Sequence, residues 1–125
     1  MRLLLDTHVV LWSVAGSSKL SAAGHKAIGE AEAVFVSAAS VWEIAIKSAL
    51  GKIDADVDLL IDALEASGFR ELPVRAVHAA RVAKLPLLHG DPFDRLLIAQ
   101  ALHEPLLLLT ADAALTRYGP IVLAI

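Results

Sequence analysis

The chain has 125 residues, no cysteine, a formal net charge of −3 and a hydrophobic fraction of 57%. That length makes one domain with a sizeable core. The missing cysteines exclude disulfides and thiolate metal sites. The acidic balance (pI near 5.9) excludes a uniformly basic binder of nucleic acid, so positive charge that meets nucleic acid must be local. No charge-free window of about 18 residues is present, so no membrane-spanning helix is expected. Asp6 and His8 interrupt the apolar start too early for a secretory leader, and the expected location is cytoplasmic. A mean hydropathy of +0.64 points to apolar surface covered by a partner or a second copy.

Residues 2–5 form a short apolar run that ends in Asp6 and Thr7, which predicts a buried strand with an acid at its carboxyl end. Residues 8–15 have helical length and stop at Gly16. A second helix is expected over 21–32 with Ser21 as cap, weakened by Gly24 and Gly29. Residues 33–37 predict another buried strand. Ser40, followed three residues later by Glu43, has the form of a capping box for a helix through Leu50. An amphipathic helix is expected over 57–67, a short strand over 69–73 and a helix over 74–85. In that last helix Val77, Ala80 and Ala83 are expected inward, and Arg75, Arg81 and Lys84 outward.

Asp91 and Pro92 start the next helix, Asp91 as N-cap and Pro92 at the first helical position. Phe93, Leu96, Leu97 and Ala101 have core-facing spacing in it. Four leucines at 106–109 predict a strand that leads into Thr110, Ala111 and Asp112. A short helix to Arg117 and a strand over 121–123 close the chain. Continuously apolar strands alternating with helices mark an α/β fold: a single domain over residues 1–125, with a central, mostly parallel sheet in a three-layer α/β/α arrangement. Ligands in such folds bind beyond the carboxyl ends of the strands.

Acids gather at that edge. Asp6 and Asp112 follow strands, Asp94 lies in the first turn of a helix, and Glu43 lies on an otherwise apolar helix. Each has a local explanation as turn, cap or dipole partner. Together they would repel one another and raise their pKa values, a conflict that a divalent cation removes. Oxygen donors without cysteine suit Mg²⁺ or Mn²⁺ better than Zn²⁺.

The blocks Leu3-Leu4-Leu5-Asp6-Thr7-His8, Ser40-Val41-Trp42-Glu43-Ile44-Ala45-Ile46-Lys47, His89-Gly90-Asp91-Pro92-Phe93-Asp94-Arg95 and Leu109-Thr110-Ala111-Asp112 resemble the PIN domain, and more narrowly the VapC toxins of bacterial toxin–antitoxin pairs. The resemblance implies a PIN fold and Mg²⁺- or Mn²⁺-dependent endonucleolytic cleavage of RNA through metal-activated water. It implies Asp6, Glu43, Asp94 and Asp112 as metal ligands and catalytic residues, a VapB-like antitoxin as partner, and a homodimer. Thr110 matches a hydroxyl position beside the site. The final strand lacks the aromatic often found there, and Ala111 is smaller than usual; neither touches a matched acid.

The neighbours of these acids have two readings each. Thr7 caps the first helix or meets a phosphate. Lys47 pairs with Glu43 one turn away or contacts RNA. Arg95 faces solvent or grips a phosphate in bidentate fashion. Arg81, Lys84 and His89 are solvated or line a basic rim. Two other functions compete: a phosphotransfer or phosphatase-type protein with Asp6 as phosphoacceptor, and a non-catalytic module that keeps the fold. Haloacid-type phosphatases want a second Asp two positions after the first, and His8 stands there.

Overall fold

The computed structural model describes all 125 residues. Five strands form the sheet: β1 (Arg2–Leu5), β2 (Ala33–Ser37), β3 (Arg70–Leu72), β4 (Leu107–Thr110) and β5 (Val122–Ala124). Six α-helices connect them: α1 (Thr7–Ala15), α2 (Ala22–Glu30), α3 (Ala38–Ala49), α4 (Val57–Ala66), α5 (Ala76–Val82) and α6 (Pro92–His103). A 3-10 helix over Ala113–Tyr118 precedes β5.

The strand order is β3-β2-β1-β4-β5, and every pairing is parallel. The chain therefore leaves the carboxyl ends of neighbouring β1 and β4 in opposite directions, which opens a crevice between them. The leucine runs account for the layering. Side chains alternate across a strand, so Leu3 and Leu5 pack with Val9, Val10, Ile44 and Leu60 on one face. Leu4 and Leu108 pack with Leu97, Ile98 and Leu115 on the other. Helices cover both faces, which is the expected three-layer α/β/α architecture. No helix is long and apolar enough to cross a membrane.

Gly24 shows why one of the two glycines in α2 is there: a Cβ at that position would lie 2.5 Å from Leu20 Cδ1 and 2.6 Å from Ile125 Cδ1. Ser21 caps this helix as expected, accepting from the Gly24 N–H at 3.2 Å.

Three local expectations are corrected. α3 begins at Ala38, and its cap is Ser37, which accepts from the Ala39 N–H at 3.0 Å. Ser40 is buried inside the helix, so no capping box forms and Glu43 is not spent on one. The strand β2 runs straight into α3 without a loop, which puts the serine at the strand end in the capping position. Thr7 does not cap α1. Asp6 does, accepting from the His8 N–H at 3.1 Å, while the Thr7 hydroxyl donates to Ser40 Oγ at 3.0 Å.

The inward face expected for α5 is also corrected: Val77, Ala80 and Ala83 are exposed and His78 is buried, while Arg75 and Lys84 are exposed as expected. His78 Nδ1 accepts from the Arg75 N–H at 3.0 Å. Its Nε2 lies 2.7 Å from Glu104 Oε2. A polar side chain with both ring nitrogens engaged can occupy the interior without the cost of an unmet hydrogen bond, so a seven-residue helix turns on its histidine rather than on small apolar residues.

Candidate functional site

Three of the four acids, Asp6, Asp94 and Asp112, reach the crevice by different local devices. Asp6 is the residue that ends β1 and caps α1, and it is almost fully buried. Its Oδ1 takes the His8 N–H, and its Oδ2 accepts from the Thr110 hydroxyl at 2.7 Å. Thr110 Oγ1 in turn accepts from the Asp112 N–H at 3.0 Å. One hydroxyl at the end of β4 thus fixes the Asp6 carboxylate and the backbone that carries Asp112. Asp112 is exposed and caps the 3-10 helix through the Ala114 N–H at 3.0 Å.

Asp91 and Pro92 start α6 as expected, with Asp91 Oδ1 accepting from the Asp94 N–H at 3.0 Å. That start turns Asp94 toward the crevice. Asp6, Asp94 and Asp112 line one cleft of about 290 Å³, together with His8, Trp12 and Ala111.

Glu43 is not among the residues that line this cleft. α3 meets α6 through an edge-on contact of Trp42 with Phe93, ring centres 5.2 Å apart. The Glu43 carboxylate is buried; Oε2 accepts from the Lys47 ammonium, and Oε1 has no partner. Lys47 holds its proton more tightly than usual, first through this bond and further through the nearby charges of Asp91 and Asp94. Those charges tie the Glu43–Lys47 pair electrostatically to the cleft.

Asp94 carries the clearest electrostatic signature. Its pKa is raised to about 6 by burial first and by the negative charge of Asp6 second, while the hydrogen bond from His89 works the other way. His89 Nε2 lies 2.8 Å from Asp94 Oδ2. The sequence leaves His89 on a solvated face or a basic rim; its place just before the Asp-Pro-Phe-Asp block is the signal for this contact.

The raised pKa has a consequence for the metal-free protein. A carboxyl whose folded-state pKa exceeds its unfolded value stabilises the fold below the unfolded pKa, and this contribution is lost as pH rises through the folded one. Stability of the metal-free protein is therefore expected to fall between about pH 4 and pH 6 on account of Asp94. A two-unit shift is worth about 3 kcal/mol at most, and partial exposure of the carboxylate lowers this to about 1–2 kcal/mol. Asp94→Asn is expected to recover that amount near neutral pH in EDTA and to gain nothing at about pH 4. Urea midpoints at the two pH values check it; a variant less stable than wild type at neutral pH contradicts it.

Arg95 corrects another expectation. It is buried, and its guanidinium donates to the Val82 carbonyl at 3.1 Å, the Pro86 carbonyl at 3.0 Å and the Tyr118 hydroxyl at 3.1 Å. The hydrogen bonds that would grip a phosphate are spent on the segment that leads into α6. Thr7, bonded to Ser40, is likewise turned away from the cleft lining.

Comparison with known proteins agrees with this architecture. The PIN domain profile matches residues 3–120, and the chain belongs to the PIN domain family. Within it, the chain is 33% identical over 117 residues to Ribonuclease VapC22 of Mycobacterium tuberculosis, spanning 92% of this chain and 90% of that protein. Solved structures share the fold. A toxin–antitoxin complex from Klebsiella pneumoniae aligns with a TM-score of 0.71 at 18% identity, covering 98% of this chain and 96% of that one. FitAcB from Neisseria gonorrhoeae aligns at 0.70 and 23%, with the same coverage. VapBC2 from Rickettsia felis, bound to a DNA fragment from its promoter, aligns at 0.65 and 14%, covering 100% and 98%.

Proposed function

We propose that this chain is a Mg²⁺- or Mn²⁺-dependent endoribonuclease, the toxin of a VapBC-type pair. The observation that carries the reading is Asp94: a partly buried carboxyl held near pKa 6 by burial and by Asp6, in a cleft that also contains Asp112. On α3, Glu43 keeps a buried oxygen without a partner. Carboxylates in mutual conflict, all hard oxygen donors, fit a divalent cation such as Mg²⁺ or Mn²⁺. Asp6, Asp94, Asp112 and Glu43 are the residues that would hold it. When bound, such an ion supplies a polarised water for attack on the phosphodiester and a counter-charge for the departing 3′-oxygen.

The chain's own residues do the positioning. Thr110 locks the rotamer of Asp6 and orders the Asp112 backbone. Lys47 neutralises one oxygen of Glu43 and leaves the other available. Its charge interacts with those of Asp91 and Asp94, and it is the cation proposed to meet a substrate phosphate. The relative's name as a ribonuclease supports RNA as the substrate class. A VapB-like antitoxin is the proposed partner, supported by the toxin–antitoxin complexes among the structural neighbours. A homodimer accounts for part of the exposed apolar surface, which includes Trp42 at 61% and Leu50 at 65% exposure.

Phosphotransfer through Asp6 is disfavoured, because His8 stands two positions on, where a second acid is wanted for that chemistry. The test is a map of the RNA ends. Cleavage by water leaves 5′-phosphate and 3′-hydroxyl termini and stops in EDTA. Products ending in 2′,3′-cyclic phosphate, or full activity in EDTA, would overturn the proposal.

A further inference from the structure

Two histidine-containing groups in this protein have the composition of metal sites. His89, Asp94 and Asp112 each offer a ligand atom, all within 4.8 Å of one another, and so do His78, His103 and Glu104. The hydrogen bonds of the two rings separate them. His78 Nδ1 accepts from the Arg75 N–H, so its lone pair is used there and the ring proton sits on Nε2, the atom facing Glu104. A ligating nitrogen must present a lone pair, and Nε2 of His78 cannot do so without placing two hydrogens face to face at Arg75. His78 is a structural clasp.

His89 is built the other way. Its Nε2 faces Asp94 Oδ2 at 2.8 Å, and no protein group engages Nδ1. Without a cation this Nε2 donates to Asp94; because Nδ1 is unengaged and the side chain is 24% exposed, the proton can shift to Nδ1 when a cation takes the place of that hydrogen bond, and Nε2 then presents its lone pair to the ion. The ring comes from the connection that ends at the Asp91 cap, and Arg95 anchors that connection at the Val82 and Pro86 carbonyls. It is therefore held beside the acids by structure. We propose that His89 supplies a nitrogen ligand to the cation bound by Asp94 and Asp112, and that this makes the site select Mn²⁺ over Mg²⁺. Mg²⁺ takes oxygen donors almost exclusively, whereas affinity at nitrogen rises along the transition series.

The inference rests on the acids being a cation site, and one experiment separates the two claims. Purified protein is loaded with Mn²⁺ and studied by electron spin-echo spectroscopy, which reads nitrogen bound directly to the ion. Wild type is expected to show imidazole nitrogen coupling, His89→Gln to lose it, and His8→Gln to keep it. His8 is the proper control because its Nδ1 lies 3.8 Å from Asp6 Oδ1. Titration is expected to show Mn²⁺ affinity reduced about tenfold in His89→Gln, with Mg²⁺ affinity changed much less. Mn²⁺ bound to wild type without nitrogen coupling overturns the ligand role and leaves the acidic site standing. Coupling that survives in His89→Gln or disappears in His8→Gln overturns it as well. A wild type that binds neither ion overturns both claims.

Discussion

Asp6→Asn is expected to lower RNA cleavage by on the order of 10³-fold while the protein stays folded. Asp6 joins the carboxyl ends of β1 and β4, and it is one of the cleft anions proposed to hold the cation. Asparagine removes the charge and keeps the shape. Its carbonyl oxygen can continue to accept from the His8 N–H, and asparagine is as good a cap as aspartate. Its amide can donate to Thr110 Oγ1, a hydroxyl with two lone pairs that already accepts from the Asp112 N–H.

The neighbouring acid also gains. Asp6 is the main charge raising the pKa of Asp94, so its neutralisation relaxes that carboxyl toward ordinary values. The metal-free variant is accordingly expected to unfold at an equal or higher urea concentration than wild type. Cleavage assays and unfolding curves on the same preparation decide the matter. Retained cleavage removes Asp6 from the chemistry, and loss of activity with loss of fold makes its role structural.

Arg95→Leu is expected to have the largest effect on stability, a loss of about 3 kcal/mol. The guanidinium is buried among two carbonyls and a phenol oxygen and makes no ion pair with an acid. Leucine leaves the Val82 carbonyl without this donor, and leaves Pro86 with the Leu88 N–H and the Tyr118 hydroxyl as donors. The effect should travel to the site, because the anchored segment leads to His89 and the Asp91 cap. Lysine is not expected to rescue, since one ammonium cannot reproduce a planar fork that spans three acceptors. Tyr118→Phe should cost less, about 1 kcal/mol, as it removes one partner of several. Denaturant midpoints of the three variants test the ranking; a leucine variant as stable as wild type would show that the buried charge contributes nothing net, as some buried charges do.

Several features of this protein were legible in the chain itself, and they share a physical cause. The leucine runs of β1 and β4, the serine cap of α2, and the Asp91–Pro92 start of α6 are settled by residues within a few positions of one another. Turn chemistry, capping and burial of apolar runs operate at that range. The carboxyl-end placement of Asp6 and Asp112 follows, because a parallel sheet sends all strand ends the same way. The side chains whose partners are distant in sequence were not legible. Thr7 donates to Ser40, Arg95 reaches Val82 and Tyr118, and His78 turns α5 around to meet Glu104. A polar group entering the interior takes whichever partner the fold places across from it. Local pattern names the candidates, and only the packed structure chooses among them. The acids belong to both categories: their positions at the sheet edge could be read in order along the chain, but the conflict that raises the pKa of Asp94 exists only when β1 and α6 bring it against Asp6.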